Sequence, residues 1–276
     1  MRQIIRFQSS GKRLYGVLHN GEQPLGCGFV MCAPFGEEAK SAYRTYFEMA
    51  EIAAAKGWSV LRFDYRGTGN SEGGFDEFSP SAALADIRLA MEWLRLNRVR
   101  RVGLLGLGLG ATLAFELAAA ESCDFMIAWE PIVNGEEFHK LNVKRHLLRQ
   151  MLVRGKAAKG SPGTAAASGD IIDLDGYPVR RSTAEEIRKL DLLELQAPTM
   201  PPAFILQISF SQNLAADLQA LADSCHPSPQ TASVVCEPFW NRIGSVNCEP
   251  VYEATMAWLD KQLDAFNRAE SVPPSS

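Results

Sequence analysis

The chain has 276 residues, of which 46% are hydrophobic and 22% charged, and a formal net charge of −4 at pH 7. That is the balance of an ordinary globular protein. Mild acidity without a basic block argues against a nucleic-acid partner, and no run of about 18 uncharged apolar residues offers a membrane span. The opening MRQIIRFQSSGKRLYG lacks the apolar run of a signal peptide, so a cytoplasmic protein is expected. The chain is long enough to bury a core without disulfides or metals. Its cysteines are Cys27, Cys32, Cys123, Cys225, Cys236 and Cys248, and no two form a CxxC pair. They read as small buried hydrophobes, with no metal or cofactor expected.

Short apolar runs at 3–7, 13–19 and 26–32 read as strands. A helix is expected over 41–56, ended by Gly57. The run SVLRFD at 59–64 reads as a buried strand, and Ser79-Pro80 as an N-cap followed by proline in the first turn. Leu84, Ile87, Met91 and Leu94 continue at helical spacing. Residues 102–105 form a compact strand, 109–120 an apolar helix and 125–129 the next strand. Strands alternating with helices imply a mostly parallel, doubly wound sheet.

Residues 131–195 break that rhythm. A basic-amphipathic helix is expected over 134–153, with Phe138, Leu141, Leu148 and Leu152 on one face. The segment 155–169 (GKAAKGSPGTAAASG) should be mobile, and 182–195 reads as a second helix. Alternation resumes with a strand at 203–210, a helix near 214–222 and a strand at 232–236. The final helix carries Tyr252, Met256, Leu259, Leu263 and Phe266, and the tail 270–276 should fray. The layout is one α/β domain over 1–276 with a cap inserted at about 131–195.

The segment RFDYRGTGNSEG at 62–73 resembles the D-x-R-G-x-G-x-S strand end of α/β-hydrolases, in which Asp64 and Arg66 can satisfy loop backbone groups. The resemblance covers nearly the whole chain and is nearest to the serine-aminopeptidase-like branch. It implies an α/β-hydrolase fold, an oxyanion loop at Pro34-Phe35-Gly36, and a nucleophile elbow at Gly106-Leu107-Gly108-Leu109-Gly110. The family's elbow is G-x-S-x-G, followed in the chain by an acid and then a histidine. Here Gly108 stands at the nucleophile position. The acid's loop reads Ser209-Phe210-Ser211-Gln212, and the histidine's reads Glu237-Pro238-Phe239-Trp240-Asn241. Asp217 is expected inside the following helix and His226 in a surface loop. His139 and His146 read as solvated positions on the cap helix. All three triad positions are thus degenerate, at Gly108, Ser211 and Trp240.

The combination of APFGEE (33–38), the serine-less elbow, DGYPVRRSTAEEIRKLDLLEL (175–195) and EPFW (237–240) is similar to the hydrolase-like proteins associated with exosortase systems. That resemblance implies a bacterial cytoplasmic accessory protein of exopolysaccharide loci. A small-molecule ligand or a protein partner is expected, held at Phe35, Gly36, Gly108, Leu109 and Trp240. The Leu109 amide, at a helix N-terminus, would serve an anion or a carbonyl oxygen.

Two other readings compete. Gly106, Gly108 and Ala111 also fit G-x-G-x-x-[GA], with Glu130 roughly 20 residues on as a ribose-binding acid, which would mean nucleotide binding. Alternatively, an active hydrolase has its nucleophile relocated to Cys32, Ser71, Ser209 or Ser211, with Glu37 or Glu38 as base. The acids more simply complement the dipole of the helix that follows them. The layout makes one direct prediction: limited proteolysis is expected to cut first within 155–169, and a first cut between residues 102 and 120 would contradict it.

Overall fold

The computed structural model describes residues 1–154, 170–174, 176–195, 199–242 and 244–271. The expected mobile segment 155–169, and 272–276 of the expected frayed tail, lie outside them. Strands β3 (Cys27–Cys32), β5 (Arg101–Leu107), β6 (Met126–Trp129) and β9 (Ala203–Ser209) are almost wholly apolar and buried. That pattern suits central parallel strands covered on both faces. β1 (Arg2–Ser9) and β2 (Lys12–His19) mix exposed and buried positions, and β2 pairs antiparallel with both β1 and β4 (Ser59–Phe63). β10 (Gln230–Val235) lies parallel to β9 at the far edge. The sheet runs β1-β2-β4-β3-β5-β6-β9-β10 and is parallel from β4 onward.

Alternate residues of the strands feed two cores. Phe29, Met31, Leu105, Leu107 and Trp129 pack under α1 (Glu37–Ala55) and α7 (Glu249–Ser271). Val30, Cys32, Leu104 and Met126 pack under α2 (Pro80–Leu96) and α3 (Leu109–Ala120), and Ile205 under α6 (Ala216–Ser224). The start of α2 follows the sequence signal, with the Ser79 hydroxyl accepting from the Ala82 amide at 3.1 Å. α1 starts at Glu37, earlier than the expected 41, because Gly36 at φ 61° makes the turn. Glu37 and Glu38 therefore lie in its first turn, where acids complement the helix dipole. No described helix is long and apolar enough to cross a membrane.

Between β6 and β9 the chain forms α4 (Gly135–Arg154), β7 (Ile171–Leu174), β8 (Tyr177–Arg180) and α5 (Arg181–Lys189). The two ends of this insert are stitched together: Gly135 N donates to Leu190 O at 2.7 Å and Leu192 N to Val133 O at 2.9 Å. α5 ends at Lys189 and does not reach the expected 195. Beyond it, Asp191 bridges to Asn134 and its carboxylate accepts from the Leu193 amide. The β7–β8 hairpin was not expected from the periodicity, since four-residue strands are too short to show alternation. On the expected apolar face of α4, Phe138 is buried but Leu141 and Leu148 are exposed, and the side chain of Leu152 lies outside the description. The insert reaches the loop after β4, where Tyr177 meets Phe75 at 4.6 Å between ring centroids and Thr183 donates to Phe78 O at 3.0 Å.

α3 rests directly on the strands. A Cβ at Gly110 would lie 2.2 Å from Cys32 O, and one at Gly106 would lie 2.5 Å from the Ala111 backbone. Gly110→Ala is expected to destabilise the fold by about 1–3 kcal/mol or more, the scale of overpacking. Urea unfolding would show this as a lowered midpoint, and an unchanged midpoint would place α3 farther from the sheet.

Candidate functional site

β5 ends at Leu107 and the chain turns into α3 through Gly108, at φ 54° and ψ −124°. Only glycine adopts such backbone without steric cost. The Gly108 amide donates to Trp129 O at 3.0 Å, and its carbonyl accepts from the Ala111 amide at 3.0 Å. The strand–turn–helix shape of an elbow is present, with no side chain at its tip. A Cβ there would lie 3.3 Å from Glu38 Oε2 and 3.7 Å from Pro34 Cβ. Glu38, from the first turn of α1, pairs with Arg145 of α4 at 3.2 Å, with both side chains largely buried. A carboxylate thus faces the turn at the N-terminus of α3, where the helix dipole favours negative charge.

The later positions hold no acid–base pair. Ser211 is exposed, and its hydroxyl accepts from the Asn213 amide at 3.1 Å. Trp240 is half-buried and packs edge-on against Phe239 at 5.0 Å. Asp217 opens α6, as expected. Leu109 is buried at the start of α3.

The alternative nucleophiles are each committed elsewhere. Cys32 is fully buried, and burial pushes its thiol far up. The Ser71 hydroxyl donates to Asp64 O at 2.6 Å and accepts from the Tyr15 amide at 2.9 Å. Ser209 bonds the Ser211 backbone in both directions at 3.1 Å. Glu37 accepts from the Tyr177 hydroxyl at 2.8 Å and pairs with Lys40 at 3.1 Å. Among the described residues, no histidine bonds Cys32, Ser71, Ser209 or Ser211.

The nucleotide reading meets opposite geometry. Gly106 and Gly110 serve the close packing of α3, and the turn where a phosphate would sit faces Glu38. Glu130, expected to bind ribose, follows β6 at φ 45° and accepts from the Ile208 amide of β9. Burial pushes its carboxyl up to about 7. His139 and His146 are likewise not freely solvated. His139 is half-buried, its Nδ1 has no hydrogen-bond partner among the described residues, and burial and Arg188 lower its pKa. His146 pairs with Asp173 of β7 at 3.1 Å.

A cavity of about 290 Å³ lies between the start of α1, the loop after β4 and the β7–β8 hairpin. Phe35, Gly36, Lys40, Asp64, Phe75 and Tyr177 are among its lining residues. Phe35 and Gly36 both line this cavity. Gly108, Leu109 and Trp240 are not in its lining, because the Glu38–Arg145 pair stands at the elbow and Trp240 packs on Phe239. Tyr177 was missed; the Asp175-Gly176 dipeptide before it is a hairpin signal that could have found it.

Residues 40–149 match a family model described as an acyl transferase. An acyl transferase of Aliivibrio fischeri is 28% identical over 102 residues, 37% of this chain and 33% of that protein. One of Photobacterium leiognathi is 31% identical over 87 residues, 31% of this chain and 28% of that protein. The match therefore spans about a third of the length of these curated relatives. Among solved structures, Est1E from Butyrivibrio proteoclasticus with bound ferulic acid superposes at a TM-score of 0.68 and 16% identity, covering 94% of this chain and 99% of that one. The α/β hydrolase GrgF from Penicillium sp. sh18 gives 0.65 at 17% identity, covering 97% and 98%. The chain has the α/β-hydrolase fold.

Glu130 supplies a pH prediction. Its native pKa of about 7 lies above the ordinary 4.5, so between those values the native state keeps a proton that the unfolded chain releases. Stability then falls as pH rises across that window, by up to about 3 kcal/mol. Glu130→Gln keeps an acceptor for the Ile208 amide and is expected to flatten this fall and raise Tm at pH 8. Identical pH profiles for the two proteins would mean that Glu130 is ionised in the native state.

Proposed function

We propose that this α/β-hydrolase-fold chain binds a small molecule in the cavity beside α1 and does not hydrolyse esters through a serine. The observation that carries the reading is the elbow itself: Gly108 keeps the turn, and the Glu38 carboxylate, paired with Arg145, faces the place of a nucleophile. The acyl-transferase relatives and the hydrolase neighbours support a ligand drawn from acyl chemistry, meaning one that carries a carboxyl or carboxyl-derived group. The motifs at 33–38, 175–195 and 237–240 support a bacterial cytoplasmic accessory role in exopolysaccharide systems. A protein partner is the second kind of occupant compatible with a chain that lacks the triad.

A fluorophosphonate probe is expected to leave the purified protein unlabelled, and stoichiometric labelling at any serine would overturn the reading. Gly108→Ser is expected to fold at a cost of about 1–3 kcal/mol, the scale for a side chain held in sparsely populated backbone. The nearest obstacle, the Glu38 carboxylate, ends a flexible side chain and can move aside. Esterase activity should stay at background, because turnover also needs an acid near Ser211 and a histidine near Trp240. Thermal melts with an ester assay test both points, and substantial turnover by Gly108→Ser alone would reveal a base elsewhere.

A further inference from the structure

A second, smaller cavity of about 120 Å³ adjoins the first and shares Ala33, Pro34, Ala39, Tyr43, Asp64 and Asn70 with it. Arg62 lines this inner part. Its Nε donates to His19 Nε2 at 3.0 Å, and His19, fully buried, bonds Glu51 Oε1 through Nδ1 at 2.5 Å. The Arg62 guanidinium also lies over the Tyr43 and Phe47 rings, at 5.1 and 5.3 Å from their centroids. Burial lowers the His19 pKa against the opposing hydrogen bond to Glu51, and Arg62 lowers it further; the Arg62 Nε–H donates to Nε2, which accepts and holds the guanidinium. Among the described residues, neither terminal nitrogen of Arg62 has a hydrogen-bond or ion-pair partner. A guanidinium fixed in this way presents its remaining N–H fork to a carboxylate.

Asp64 stands two residues along β4's line from Arg62, hence on the same side. Its Oδ2 accepts from the Asn70 amide at 2.8 Å, the Asn70 side chain adds a hydrogen bond, and the charge of Arg62 acts on it from the same cavity. A bare carboxylic acid entering here would bring its charge against Asp64. A bare amine would meet Arg62 and, farther out, Lys40. A head group carrying both charges satisfies both sides. Beyond it lie Phe35, Phe75 and Tyr177, packed ring against ring at 4.6–6.1 Å, a wall suited to a large apolar side chain. We infer that the cavity takes a free α-amino acid with a large apolar side chain, its carboxylate on Arg62 and its ammonium on Asp64. This rests on the reading that the cavity is the ligand site.

The test is calorimetry on the full chain at pH 7 with L-phenylalanine, 3-phenylpropionate and 2-phenylethylamine. L-Phenylalanine is expected to bind at least tenfold more tightly than either analogue. Arg62→Gln is expected to weaken it tenfold or more. Asp64→Asn, which keeps an acceptor for the Asn70 amide, should weaken L-phenylalanine similarly and narrow its lead over 3-phenylpropionate. Equal or tighter binding of either analogue overturns the assignment, as does absence of binding by all three. Fluorophosphonate labelling, by contrast, would sink only the non-hydrolytic reading and leave the calorimetry unaffected.

Discussion

The close approach of α3 to β3 and β5 is the constraint on which the rest depends. Gly110 lies against the carbonyls of Cys32 and Ala33, and Gly106 against the backbone of Ala111, at separations that admit no Cβ. A helix that near the sheet must leave β5 through a sharp turn, and Gly108 at φ 54° makes it. The turn in turn fixes where the Trp129 carbonyl, the end of β6 and the loop at Pro34-Phe35-Gly36 lie relative to one another. The elbow is therefore a structural necessity of this packing whether or not it carries a nucleophile. That is why its shape stands here with a glycine at its tip.

The loop after β4 is held by charge as well as by turn geometry. Arg66 and Asp64 had both been expected to satisfy loop backbone. Asp64 does so through the Asn70 amide, but Arg66 reaches Asp86 of α2, which is fully buried, at 2.6 Å, and also the Ser9 hydroxyl. Removing either partner of such a pair leaves an uncompensated charge in low dielectric, which costs far more than the intact pair contributes. The pair ties the loop to α2 and β1, and so steadies one wall of the cavity. The opposite wall comes from the insert, where Tyr177 rests on Phe75 and over Gly36, whose added Cβ would touch its ring at 3.1 Å.

Most of the sheet was legible because its central strands are apolar on both faces and its helices carry full-length periodicity; α3 matches its expected bounds of 109–120. The elbow was legible because its glycines fall at fixed spacing. Three features were not. The β7–β8 hairpin is too short for periodicity, and only Asp175-Gly176 announces it. Arg145, which pairs with Glu38, lies more than a hundred residues away in sequence. Arg62 read as an ordinary strand residue, and its restraint by His19 and Glu51 arises only once β2, β4 and α1 are brought together.

These same placements separate the elbow from the cavity. Glu38 and Gly36 are two residues apart, yet α1 begins between them, so the first turn sends the Glu38 carboxylate toward Gly108 while Gly36 and Phe35 face the aromatic cavity. In a working hydrolase the oxyanion loop and the nucleophile address one reacting carbonyl, with donors about 3 Å from the developing charge. Here the Glu38 carboxylate, paired with Arg145, stands at the elbow, where such a site would need hydrogen-bond donors. The groups proposed to meet a ligand, Arg62 and Asp64, lie instead on the β4 side. Gly108 lines neither part of the cavity, so binding there, as proposed, would leave affinity and the chemistry of the elbow free to vary independently.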